Sequence, residues 1–149
     1  MLTLKQINEF LNQRKYAIVG VSANKNKFGN TLYKEAIAKN MDIIPIHPHL
    51  DSIEGKKCYS KLSDLEGIEA IIISVSPKNT VSIVNQAIDY GIKHIWLQQG
   101  AETKEAIDLC EKNNINVIYQ RCLLMFINGD TMPHKIHRFF SKLFGKYPK

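Results

Sequence analysis

Apolar positions along this chain follow two different periods, and the switching between them carries the fold expectation. Leu2, Leu4, Ile7, Phe10 and Leu11 recur at helical spacing behind Thr3, a suitable N-cap, which predicts an amphipathic helix over about residues 3–13. Tyr16 to Val21 is continuous and apolar instead, the pattern of a strand buried on both faces. Leu32, Ala36 and Ile37 return to the helical period and predict a helix from about Asn30 to Lys39. DIIPIHP and EAIIISV read as short strands, a helix from about Asn79 to Tyr90 closes at Gly91, and KHIWLQQ, a helix over about Thr103 to Asn113, and INVIYQ continue the alternation.

Strands alternating with helices predict an α/β domain with a Rossmann-like, three-layer architecture. Its sheet should be mostly parallel, doubly wound and of about five strands, with right-handed crossovers covering both faces. Residues 47–67 break the alternation and predict a long connection, with a short strand or turn near Lys57 to Tyr59 and one helical turn near Ser63. The pattern stops after Tyr119. These boundaries give a core domain over residues 1–126 and a basic tail over 127–149, with a helix expected at about Pro133 to Phe144. Ile136, Phe139, Phe140 and Leu143 of that tail suit docking on the sheet or on a second subunit, the preferred reading; Lys135, Arg138, Lys142 and Lys146 suit a membrane surface or nucleic acid, the latter not the expected partner.

Composition narrows this little. The 149 residues suffice for one domain, and no apolar run approaches the ~20 residues of a membrane helix. The N-terminus lacks the order of a signal peptide, so a cytoplasmic protein is expected. Cys58, Cys110 and Cys122 have no CxxC spacing and read as reduced thiols. The net charge of +6 predicts attraction to polyanions without choosing among nucleic acid, membrane and phosphorylated small molecules.

In open parallel sheets ligands bind outside the carboxyl ends of the strands, so the chemistry is sought in GVSANKNKFGN, HPHL, SVSPKN, QQGAE and QRC. In the first of these, Gly20 admits a close approach to the backbone, Gly29 and Asn30 open a helix whose amide end favours an anion, and Lys25 and Lys27 add charge. The spacing is neither GxGxxG nor a P-loop, so an ordinary long turn is the competing reading. Ser74 and Ser76 precede Pro77 at a helix start, as ligand hydroxyls or routine caps. Gln98 and Gln99 should point in opposite directions beside Gly100, so at most one lines a cleft. His47 and His49 lack a third ligand and are not expected to hold a metal. Cys122 beside Arg121 reads as either a buried inert thiol or an activated one, the former being preferred. No Ser/His/Asp order, paired carboxylates or HExxH appears, which points to binding rather than catalysis.

The ordered blocks GVSxNxxKFGN, IPIHP, IEGKKCYSKLSDL, IIISVSP, IKHIWLQQGAE and a final strand ending in RC resemble the small single-domain CoA-binding proteins. Their domain is similar to the nucleotide-binding domain of the succinyl-CoA synthetase α subunit and of ADP-forming acyl-CoA synthetases. The resemblance spans about residues 10–126 and implies coenzyme A or an acyl-CoA as ligand, with a homo-oligomer or a synthetase-like partner as possible assemblies. It implies phosphates near Gly20, Val21, Ser22 and the Lys25–Lys27–Phe28–Gly29–Asn30 segment, adenosine near His47 and Pro48, and the pantetheine chain beside Val75, Ser76 and Pro77. Gln98 and Gly100 belong to the same set, and no metal is implied. Ligase activity is not carried over, because the larger synthetases use a phosphohistidine from a following domain. The alternative is an NAD(P)- or other nucleotide-binding oxidoreductase or regulatory protein; the missing GxGxxG and the IHPH in place of an acidic strand end argue against NAD more than against NADP.

Overall fold

The computed structural model describes residues 2–127; the basic helix expected near residues 133–144 lies outside the described residues. Thr3 caps α1 (Leu4–Leu11) through a reciprocal pair, its hydroxyl accepting from the Gln6 amide and its own amide donating to Gln6 Oε1. The chain then runs through β1 (Tyr16–Val19), α2 (Phe28–Ala38) and β2 (Ile43–Ile46). The long connection contains a two-stranded antiparallel hairpin, β3 (Ser52–Ile53) with β4 (Lys56–Lys57), and one 3₁₀ turn at Leu62–Asp64. After it come β5 (Ala70–Ile73), α3 (Pro77–Tyr90), β6 (His94–Gln98), α4 (Lys104–Lys112), β7 (Asn116–Arg121) and α5 (Leu124–Ile127).

The main sheet has five strands in the order β2-β1-β5-β6-β7, all parallel, so this is an α/β Rossmann-like fold. Chain order reverses between β1 and β5: from β1 the sheet grows one way to β2 and the other way to β5, β6 and β7. That reversal opens a crevice at the carboxyl ends of β1 and β5, where Gly20 and Ser74 emerge.

Both faces of the sheet are buried, which explains the unbroken apolar runs. Tyr16, Ile18, Ile72, Trp96 and Ile118 pack with Ile7 and Phe10 of α1 and Leu32 of α2. Ala17, Ile71, Ile73, Ile95 and Leu97 face the other way, toward Val84 and Ala87 of α3 and Ala106 and Cys110 of α4. Trp96 is fully buried, edge-on to Phe10 at 5.2 Å, and its indole donates to the Arg121 carbonyl at 3.1 Å.

Several boundaries differ from the sequence expectation. The apolar run predicts β1 through Val21, but pairing ends at Val19, because Gly20 turns the chain at φ +129° while Val21 stays buried. By the apolar stripe alone α2 and α3 start at Asn30 and Asn79, but they begin at Phe28 and Pro77, since the first turn needs no apolar stripe to form; the start of α3 is the one that Pro77 itself marks in the sequence. Gly91 ends α3 in the left-handed region as its position predicts. No helix among the described residues is long and apolar enough to cross a membrane.

Candidate functional site

Residues from two strand ends meet in the crevice between β1 and β5. They line a hollow of about 300 Å³: Gly20, Ser22, Lys27, Phe28 and Gly29 on one side, Ser74, Val75 and Ser76 on the other. The first turns of α2 and α3 both open here. Neither has a side-chain cap, since Lys27 and Ser76 occupy the cap positions without making that bond. By contrast α1 and α4 are capped by Thr3 and Thr103. Uncapped amide ends carry partial positive charge, which Lys27 reinforces. None of the lining residues bears a carboxylate. Amides, hydroxyls and an ammonium without an opposing acid make a donor set that fits a phosphate.

The glycines are explained by packing inside the protein. A Cβ on Gly20 would lie 2.7 Å from the carbonyl carbon of Ser74, and one on Gly29 would lie 2.6 Å from the carbonyl carbon of Gly20. Both are closer than real Cβ contacts come, so the two strand ends and the start of α2 approach as backbone against backbone. The pair therefore shapes the hollow by letting its walls close.

The loop between β1 and α2 is braced by its own polar residues. Ser22 Oγ accepts from the Asn24 amide at 3.1 Å, Asn24 Oδ1 accepts from the Asn26 amide at 3.0 Å, and the Lys27 amide donates to the Asn24 carbonyl at 3.1 Å. Asn30 lies inside α2 and is 1% exposed; its side chain holds the Ser22 amide and carbonyl, each at 2.7 Å. Lys25 is exposed and does not line the hollow.

The loop after β2 forms a separate hollow of about 390 Å³, bordered by Pro48, Lys57 and Tyr59 among others. His47 holds its turn: Nδ1 accepts from the His49 amide at 3.0 Å and the Leu50 amide at 3.2 Å. Both bonds need Nδ1 unprotonated. Burial, with the charge of His49 adding to it, keeps the His47 pKa below its ordinary value. With Nδ1 accepting, a neutral His47 carries its hydrogen on Nε2. The hollow itself is lined by Lys57, whose Nζ lies 4.7 Å from the centre of the Tyr59 ring, and by the carboxylates of Asp51 and Asp64. Sequence reasoning assigned no role to Lys57 or Tyr59, because a β3–β4 hairpin with two-residue strands has no periodic signature.

Three further positions are not among the residues that line the hollow between β1 and β5. Gln98 is 2% exposed, and its Oε1 accepts from the amide of Leu123, the residue before α5, at 3.1 Å. Gly100 sits in the loop after β6 at φ +89°, where its amide donates to Glu102. Pro77 forms the first turn of α3. Cys122 is fully buried and burial pushes its thiol pKa up, so proximity to Arg121 does not activate it. Cys58 and Cys110 are buried as well, the latter pushed up to about 12. Among the described residues no group of three or more His, Cys, Asp or Glu side chains is placed to hold a metal.

Comparison with known proteins places this geometry in a lineage. The chain is 24% identical over 120 residues to the uncharacterized protein YneT of Bacillus subtilis, covering 79% of this chain and 89% of that one. It is 27% identical over 119 residues to an ADP-forming acetate–CoA ligase of Methanocaldococcus jannaschii, covering 74% of this chain but 17% of the ligase. Among solved structures, a conserved hypothetical protein from Pyrococcus furiosus superposes with a TM-score of 0.72 at 34% identity, over 76% of this chain and 98% of that one. Residues 14–128 match the CoA binding domain, and the chain belongs to that family, related to the CoA ligases.

Proposed function

We propose that this protein binds coenzyme A or an acyl-CoA along the carboxyl edge of its sheet and acts as a carrier, sensor or assembly subunit in the cytoplasm, without catalysis of its own. The observation that carries the reading is the acid-free hollow at the β1–β5 reversal, flanked by two uncapped helix starts and Lys27, in a chain of the CoA-binding domain family. The pyrophosphate sits at the start of α2, against Gly20, Ser22, Lys27 and Gly29, with Lys25 adding longer-range attraction. The pantetheine arm passes Val75 and Ser76. The adenosine end reaches toward His47 and Pro48, where Lys57 meets the 3′-phosphate. The absence of catalysis is supported by the thiols, the strongest candidate nucleophiles, which are buried with raised pKa values.

Thermal denaturation with CoA, acetyl-CoA, dephospho-CoA, NAD, NADP and ATP at matched ionic strength tests this. A ligand at 100-fold excess over its Kd stabilises the fold by about 2.7 kcal/mol. CoA should raise the Tm and dephospho-CoA should raise it less. A response to NADP alone overturns the reading in favour of a nicotinamide nucleotide, and no response to any of them overturns it outright.

A further inference from the structure

Asn30 is one of three buried polar or charged side chains among the described residues, and both polar ends of its amide are spent on one residue eight positions earlier. Its Oδ1 accepts from the Ser22 amide and its Nδ2 donates to the Ser22 carbonyl, each at 2.7 Å. At 1% exposure the side chain is also out of a ligand's reach. It also turns the Ser22 amide inward, away from any anion, so phosphate must be met by the start of α2, Lys27 and the Ser22 hydroxyl. That hydroxyl accepts from the Asn24 amide, which leaves its own hydrogen for donation.

We infer that Asn30 is a positioning residue for the phosphate site: by clamping the backbone of Ser22 to the first turn of α2 it fixes the β1–α2 loop in its binding shape before ligand arrives. The inference rests on the proposed CoA reading and goes beyond it, since it assigns to a buried residue a role in affinity that contact would not give. The clamp sets the distance between two parts of the site, the loop hydroxyl and the helix amides. Without it the Ser22–Lys27 segment keeps its internal braces but loses its anchor, and binding must then supply the ordering that the free protein now has built in.

The test uses calorimetric CoA titration of the wild type, Asn30→Ala and Asn30→Asp, together with hydrogen exchange at the Ser22 amide in each without ligand. The Ser22 amide should be protected in the wild type and exchange at least tenfold faster in Asn30→Ala. At a temperature where both are folded, CoA should bind Asn30→Ala about tenfold more weakly. Asn30→Asp adds a readout that a purely structural role does not move: a protonated carboxyl repeats the donor and acceptor of the amide, and an ionised one does not. The affinity ratio of wild type to Asn30→Asp should therefore shrink as pH falls from 8 to 5, and this variant carries the test if Asn30→Ala fails to fold. Wild type that binds CoA with both variants equal to it at every pH overturns the positioning role alone. Wild type that takes up no CoA overturns the ligand reading and the positioning role together, while the Ser22 exchange data still report whether the clamp exists.

Discussion

The start of α2 rests directly on the end of β1, with the hydrogen of Gly29 where any side chain would collide with the Gly20 carbonyl. Gly29 lies within a helix, where alanine is ordinarily the better residue, so the sign of Gly29→Ala separates helix propensity from packing. The contact predicts that packing wins. Gly29→Ala should destabilise the protein by about 1–3 kcal/mol, read from the urea midpoint, and should weaken CoA binding. A gain in stability would mean that α2 shifts at little cost and that the hollow does not depend on this approach.

The two loop lysines differ in placement and should differ in effect. Lys27 lines the hollow and Lys25 does not. Lys27→Ala should weaken CoA by about tenfold, as expected for a charge-assisted bond, and Lys25→Ala by less, with a loss that disappears at high salt. Both side chains are exposed, so neither change should move stability beyond about 0.5 kcal/mol. Equal losses from the two variants would point to a diffuse field in place of a defined contact.

A pH dependence follows from His47. Its pKa in the folded protein is lowered, so the folded state binds fewer protons than the unfolded chain once pH falls below about 6.5. Stability from this group is fully present above the unfolded pKa and is lost as pH falls through the folded one. His94, also lowered by burial, acts in the same direction. Urea midpoints should fall between pH 7.5 and 5, and His47→Asn, which keeps a turn acceptor without a proton to gain, should flatten part of that slope. An unchanged slope would remove His47 from the account.

The thiols provide a check on the proposed absence of covalent chemistry. All three cysteines are buried, and each has its pKa raised. A disulfide exchange reagent should label none of them in the native protein within minutes and all three in denaturant. Rapid labelling of Cys122 in the native state, or a mixed disulfide with CoA, would reopen a covalent role for it.

The parallel strands and their helices were legible because burial on both faces writes itself into continuous apolar runs and 3.6-residue stripes. Gly91 could be placed for a different reason: a left-handed helix end restricts residue type. The site was legible by location, through the rule that ligands gather at strand carboxyl ends, and less so by role. Gly20 and Gly29 were visible as glycines, but the atoms they make room for belong to Ser74 and Gly20, contacts across 54 and nine residues that no local pattern encodes. Asn30 reads as a helix opener in sequence, and its bonds to Ser22 exist only once the loop has folded back. Gln98 alternates correctly within β6, yet its partner, Leu123, lies two elements later.

The outer strand β2 carries Pro45, which has no amide to donate and is tolerated at a sheet edge. Tyr59 closes that edge: its amide donates to the Pro45 carbonyl at 3.0 Å, and its carbonyl accepts from the His47 amide at 2.8 Å, a parallel bridge one residue long. The connection lacking a crossover helix thus ends the sheet with a single residue acting as a sixth strand. Open strand edges template pairing with other chains. Shortening the segment between His47 and Tyr59 would uncover this one, and the damage would register as self-association on concentrating the protein before it registered as a lower melting point.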